Sequence, residues 1–402
     1  MGTKKLVAFS GSRAEFGLQA PILKECMRRG RFDVRVILGG SHLDDSFGAT
    51  AWEAAELGVP IYANLPMLHV DGSPFSAVHA IAQTTIAFQK VLQDLAPDLC
   101  MVYADRHETF GAAVAATQMG IPTVHIEGGD ITDGGTLDDG LRDAISRLAH
   151  FHLTTSELAR DRLIRLGEEP SRVVNIGTIA SDIALSGDHD SPEQVLSELK
   201  LAVDKPIILA TLHPIPLDPL HTTACVDALE RALTELMSGE FQVLLTYPNN
   251  DPGHLEIVSM IKRLQQGPAM ANLHVVQSLG SRRFHAVLAA SRMTPVFVLG
   301  NSSAGLKEAG AFGCFTVNIG NRQRGRARGS SVIDVSAVAS EVVSAVRRAY
   351  QSAQFEPFAN RTPYVGGQVA RRAADALESV PLTTDILIKR AWCVSADSHK
   401  WE

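Results

Sequence analysis

Short apolar runs alternate along this chain with longer stretches in which apolar residues recur at helical spacing. In the first half the strand-like runs are residues 6–10, 34–38, 99–103, 123–126 and 173–176. Between them, residues 17–28, 77–95, 108–117, 141–148 and 157–166 carry a helical period. Strands alternating with helices predict βαβ units and a parallel sheet covered on both faces. A polar break at Gly187-Asp188-His189-Asp190-Ser191-Pro192 precedes a second series, with strand-like runs at 207–212, 243–247, 273–276, 296–299 and 315–319. No sequence repeat is visible, yet the architecture repeats. The pattern predicts an α/β protein of two Rossmann-like domains facing across a cleft. The first covers residues 1–185 and the second 186–380, with an irregular tail at 381–402.

Size agrees with two domains, because 402 residues and 43.2 kDa exceed the roughly 250–300 residues at which single cores stop growing. The balance of 37 basic and 44 acidic residues, a net charge of −7, excludes a broad electrostatic grip on nucleic acid. Any phosphate must be held locally. Cys26, Cys100, Cys225, Cys314 and Cys393 are scattered without a CxxC pair, which predicts reduced thiols rather than a disulfide framework. Cys100 and Cys314 sit in apolar surroundings and read as inert buried thiols before they read as nucleophiles. The N-terminus shows no secretory pattern, and no run approaches the ~18 apolar residues of a membrane span. The expectation is a soluble cytoplasmic protein without membrane contact.

In open α/β sheets ligands bind beyond the carboxyl ends of the strands, so the residues that follow each apolar run are informative. The first run ends in Ser10-Gly11-Ser12-Arg13-Ala14-Glu15-Phe16-Gly17-Leu18. A Gly/Ser turn opening a helix can offer backbone N–H groups and the Arg13 guanidinium to a phosphate; it can equally be an ordinary turn. His42, in the next Gly-rich turn, reads as structural. Asp105 and Glu108 follow the run at 99–103, at a cleft mouth or as a helix N-cap and capping box. The stretch from Glu127 to Arg142 holds five carboxylates and five glycines. Glycines let a ligand approach the backbone, and clustered carboxylates raise one another's proton affinity, as acid–base work requires. The EF-hand spacing fails there, which leaves a solvated acidic loop as the competing reading. His213 ends the run at 207–212. Gly300-Asn301-Ser302-Ser303 opens a helix suited to a diphosphate, with Glu308 placed toward a ribose; capping by Asn301 or Ser302 is compatible with that. Arg322 belongs to a basic loop after the last run.

Together these residues resemble the hydrolysing UDP-N-acetylglucosamine 2-epimerases, meaning the bacterial sialic-acid-pathway enzymes and the epimerase half of the bifunctional animal enzyme. The motifs are Gly-Ser-Arg-Ala-Glu-Phe-Gly-Leu, Gly-Ser-His-Leu, Asp-Arg-x-Glu, His-Ile-Glu-Gly-Gly-Asp and Asp-Asp-x-x-Arg. After these come His-Pro, Tyr-Pro-Asn-Asn-Asp-Pro-Gly, Gly-Asn-Ser-Ser and Asn-Ile-Gly-x-Arg-Gln-x-Gly-Arg, in family order from about Leu6 to about Ala374. The resemblance implies a glycosyltransferase-B-like fold, no metal and no cofactor, a homodimer, and conversion of UDP-GlcNAc and water to N-acetylmannosamine and UDP. Carried over, the catalytic residues fall on Asp105, Glu127 and Asp138, with Arg142 in the same motif and His213 beside them. The nucleotide-binding residues fall on Arg13, Asn301, Ser302, Ser303, Glu308 and Arg322. Two positions depart from the family. Asp130 stands where many members have glutamate, and Asp143 stands where most have histidine, adding negative charge near the acid cluster. A diacetamido or GDP-linked sugar therefore stays open as substrate, beside a non-hydrolysing epimerase and a glycosyltransferase of the same fold. A catalytically silent nucleotide-sugar sensor would be expected to have lost Asp105, Glu127 or His213.

Overall fold

The apolar runs become the strands of two all-parallel sheets. A computed structural model describes residues 2–43, 57–65, 74–135, 137–249, 251–267, 270–355, 362–364 and 366–392. The first sheet contains β1 (Lys4–Ser10), β2 (Phe32–Leu38), β3 (Ile61–Asn64), β4 (Leu99–Tyr103), β5 (Thr123–Ile126), β6 (Phe151–Thr154) and β7 (Val173–Asn175), in the order β3-β2-β1-β4-β5-β6-β7. The second contains β8 (Ile207–Thr211), β9 (Gln242–Thr246), β10 (Leu273–Val276), β11 (Val296–Gly300), β12 (Phe315–Ile319) and β13 (Val332–Val335), in the order β10-β9-β8-β11-β12-β13. Both orders reverse direction once, between β1 and β4 and between β8 and β11. Those are the switch points where such sheets open a crevice.

Central strands are apolar throughout because helices cover both faces: β4 and β11 are buried at every position. Three strands escape the pattern reading. Strands β3 and β13 are half-exposed edges of four residues. Strand β6 carries His152 in its middle, yet that imidazole is fully buried and hydrogen-bonded to Glu168 at 3.0 Å.

The expected second unit gives up its last helix. Tyr364 and the helix Val369–Ser379 return to the first half, and Val369, Ala373, Ala374, Ala376 and Leu377 complete the core that contains Leu6, Phe16, Val34 and Leu99. The apolar stripe of that helix needs a partner, and the helices Arg13–Arg29 and Ile179–Ser186 of the first half supply it. The tail is ordered further than expected, with a turn of helix at Thr384–Leu387 that buries Ile386. Lys389 donates to the carbonyls of Ser146 and Ala149 and to Glu168. Trp392 bonds through its backbone to Gly167 at 3.0 Å. Expectations for 393–402 lie outside the described residues.

The halves meet closely. Gly17, in the helix Arg13–Arg29, faces Ser281 of the helix Gly280–Ala289 so tightly that a Cβ would collide with the serine side chain. At the cleft floor, Asp133 N–H donates to Arg324 O at 3.1 Å and Leu217 N–H to Gly135 O at 3.1 Å. A Cβ on Gly134 would strike the carbonyl of Asn321. The glycines of the acidic loop thus admit the opposing backbone.

Cys26, Cys100, Cys225 and Cys314 are free and buried. Burial pushes the Cys314 thiol up to about 12 and Cys100 higher still, which removes both as nucleophiles at neutral pH. Among the described residues no group of His, Cys, Asp and Glu forms a metal cluster, and no helix is long and apolar enough to cross a membrane.

Candidate active site

Strand β4 delivers Asp105 to the cleft, but not as a helix cap. The cap of the helix His107–Gln118 is Arg106, which makes no side-chain cap bond. Glu108 is buried 3.5 Å from the Arg106 Nε, so the capping-box reading of this segment does not hold. The Asp105 carboxylate instead accepts from Arg142, whose side chain is 2% exposed. Arg142 also donates to Asp130 O at 3.0 Å, to Thr132 Oγ1 at 3.3 Å and to the Asp139 carboxylate. Asp139 accepts from Thr132 N at 2.7 and 2.9 Å, which closes the acidic loop. Burial alone would raise Asp105, but Arg142 and Arg326 outweigh it and hold the carboxyl below its usual range. Asp138 opens the helix Asp138–Leu148; its side chain lies outside the described residues.

Glu127 follows β5 in the left-handed region (φ 67°), an uncommon conformation for a residue with a Cβ. Tyr103 Oη donates to its Oε1 at 2.6 Å, and Lys307 Nζ lies 2.8 Å from its Oε2. The same ammonium lies 2.8 Å from Asp130 Oδ2, with Arg326 Nε at 3.9 Å. Against burial, Lys307, Arg326 and Arg142 keep Asp130 below the ordinary carboxylate range. Asp143 does not add free negative charge, because Arg162 pairs with both its oxygens at 2.7 and 2.8 Å.

From the other half, β8 presents His213. Asn301 grips its backbone from both sides: Oδ1 accepts from His213 N at 2.7 Å and Nδ2 donates to His213 O at 2.8 Å. The imidazole Nδ1 accepts from Asn249 N–H at 3.1 Å, which leaves the ring hydrogen on Nε2. Burial, with the Arg322 charge, pushes His213 down to about 3. It is a neutral hydrogen-bond donor. Asn301 O accepts from Arg322 Nη1 at 3.2 Å and Gln323 Nε2 at 2.8 Å, and Arg326 Nη1 donates to Gln323 Oε1 at 3.1 Å. His213 is therefore joined to Asp130 through Asn301, Gln323 and Arg326, and onward through Arg142 to Asp105.

The expected nucleotide residues are spread differently. Ser302 caps its own five-residue helix Ser303–Lys307, accepting from Ala304 N at 3.4 Å. Ser303 is its first, part-exposed residue. Glu308 ends that helix and bonds His285 Nε2 at 2.8 Å, while the His285 ring stacks on Phe312. Asn301 spends both ends of its amide on His213. The Arg13 backbone opens the helix Arg13–Arg29, and its side chain lies outside the described residues. His42 is fully buried, bonded to Ser10 Oγ at 3.0 Å and edge-on to Phe16.

Sequence reasoning missed Tyr103, Lys307, Gln323 and Arg326 as members of this network. Gln323 and Arg326 lie in a loop already flagged by its arginines. Tyr103 was hidden as the last residue of a strand. Nothing local announces that Lys307 reaches across the cleft.

A family profile described as UDP-N-acetylglucosamine 2-epimerase matches residues 24–378. The chain is 28% identical over 390 residues to UDP-N,N'-diacetylbacillosamine 2-epimerase (hydrolyzing) of Legionella pneumophila, covering 96% of this chain and 98% of the relative. It is 30% identical over 337 residues to GDP/UDP-N,N'-diacetylbacillosamine 2-epimerase (hydrolyzing) of Campylobacter jejuni, covering 83% and 85%. The crystal structure of UDP-GlcNAc 2-epimerase from Neisseria meningitidis bound to UDP-GlcNAc shares the fold, with a TM-score of 0.76 at 16% identity over 93% of this chain and 99% of that one. The two facing Rossmann-like units are thus of the glycosyltransferase-B kind, and with the profile spanning most of its length the chain belongs to the UDP-N-acetylglucosamine 2-epimerase family.

Proposed function

We propose that the protein is a hydrolysing 2-epimerase, taking a UDP-linked 2-acetamido hexose and water to UDP and the free sugar inverted at C2. The observation that supports this best is the single network in which Asp105, Glu127 and Asp130 of one half meet His213 of the other. Removing a C2 proton from such a sugar needs prior loosening of the C1–O bond, which builds oxocarbenium character and acidifies C2–H. The departing diphosphate would be met by Arg13, the N–H groups at Ser302 and Ser303, and the Nε2–H of neutral His213. A carboxylate then takes the C2 proton and gives a glycal. A second acid protonates C2 from the opposite face while water adds at C1. Asp105 and Asp130, both held below the usual carboxylate range, are ionised at neutral pH and suit the role of acceptor.

The names of the Legionella and Campylobacter relatives favour a second substrate, the diacetamido sugar, within the same reaction. Proton NMR of the purified protein with UDP-GlcNAc and, separately, with UDP-N,N'-diacetylbacillosamine tests the proposal. Free UDP and a free reducing sugar from either substrate support it, and the faster substrate identifies the sugar. A UDP-linked 2-epimer would make the enzyme non-hydrolysing. Binding without turnover of either would leave a sensor.

A further inference from the structure

Lys307 stands outside every motif that marks the site, yet its charge is used there. It is the last residue of the helix Ser303–Lys307 in the second half, and its side chain is 6% exposed. Its ammonium crosses to the first half and lies 2.8 Å from Glu127 Oε2 and 2.8 Å from Asp130 Oδ2. The Tyr364 ring of the returning segment flanks it, 5.6 Å from Nζ to the centroid. Glu127 is thereby held at both ends of its carboxyl, Oε1 by the Tyr103 hydroxyl and Oε2 by Lys307. With both oxygens engaged, the two anchors fix the plane of the Glu127 carboxyl.

Stability is a poor explanation for this arrangement. A buried ion pair loses in desolvation much of what it gains in attraction, and an apolar replacement is often as stable. The second carboxylate on the same ammonium also weakens the case for a simple tie between domains, since one partner would suffice for that. A position that brings two acids of one half onto one cation of the other is instead suited to assembling them around a substrate. We infer that Lys307 is a positioning residue for proton transfer at C2, orienting Glu127 and Asp130 from across the cleft; this rests on the epimerase reading above.

The test compares wild type with Lys307→Met, Lys307→Arg and Lys307→Gln, by steady-state kinetics across pH, UDP titration calorimetry and circular dichroism. For Lys307→Met the expected result is a fall in kcat of about 100-fold, with KM and the UDP Kd within about threefold of wild type. The acid limb of its kcat profile moves to higher pH, because the carboxylates lose their shared cation. Lys307→Arg recovers about tenfold of the loss, which a merely structural contact would not reproduce with unchanged KM. If Lys307→Met fails to fold, Lys307→Gln carries the test: it keeps a donor between the two acids but no charge, and the acid limb again moves to higher pH. The inference is overturned by a Lys307→Met kcat within about threefold of wild type, by a loss carried in KM or UDP affinity, or by an unmoved acid limb in both variants. Wild-type protein that turns over neither substrate overturns the epimerase reading itself, and the inference with it.

Discussion

Arg142 is one of the largest fully buried side chains in the molecule, and replacing it with methionine exposes how the acid cluster is held together. The guanidinium satisfies two carboxylates, Asp105 and Asp139, and two further oxygens. Methionine fills most of the volume but leaves both carboxylates without that counter-charge. Breaking a buried pair costs roughly 3–5 kcal/mol. Asp105 and Asp139 are 19% and 22% exposed, and Asp139 keeps its bonds from Thr132, so the lower end applies, about 3 kcal/mol. For a cooperative unit of about 180 residues this corresponds to a fall in Tm of roughly 6–12 °C. The loss should shrink as pH falls toward 5, because burial, the largest influence on Asp105, raises its proton affinity once Arg142 is gone. Adding Asp105→Asn to the same variant removes the stranded charge and should recover about 1–2 kcal/mol. Thermal and urea unfolding of the single and double variants at pH 7.5 and pH 5 measures all of this. A single variant that loses less than about 1 kcal/mol, or a double variant no more stable than the single, would refute the reasoning.

Asn301→Ala leaves the His213 N–H and C=O without their partners, at about 1–3 kcal/mol for each buried group, and should lower kcat by displacing the imidazole; an unchanged kcat in a folded variant contradicts that role. Burial holds His125 and His213 down to about 3 and His150 to about 4, each helped by neighbouring positive charge. Because the unfolded chain takes up these protons near 6.5 while the folded protein does not, stability should fall with pH from about 6.5 to about 4. Each histidine contributes up to about 1.4 kcal/mol per pH unit, and a flat urea midpoint over that window would contradict the assignment. Glu15 shows the opposite sign. Burial, opposed by Arg106 and reinforced by Glu108 and Asp105, pushes it up to about 8 from 4.5, so wild type loses stability as pH rises between those values. Glu15→Gln, which can still accept from Gly11 N–H, should match wild type near pH 5 and melt above it at pH 8; equal melting at both would refute the shift.

Much of this was legible in the chain because an α/β sheet converts local order into position. The apolar runs became strands, and Asp105, Glu127, His213 and Asn301, each singled out because it follows such a run, fall into one network. The losses share one cause, which is that the relation between distant segments has no local signature. Asp139 accepts from both Arg142 and Thr132, a pairing that depends on how the acidic loop folds back onto the helix Asp138–Leu148. Val369–Ser379 has the periodicity of any surface helix, and only its packing on the helices Arg13–Arg29 and Ile179–Ser186 decides that it crosses back. Asp143 reads as added charge in the sequence, but Arg162, 19 residues on in the following helix, pairs with it.

The most direct test is to run the reaction in heavy water and read C2 of the released sugar by proton NMR and mass spectrometry. Proton removal and return at that carbon predicts one solvent deuterium at C2 of the free, inverted sugar, with UDP appearing in equal amount. Product that retains its original C2 hydrogen, or UDP released with the C2 configuration intact, would contradict the account.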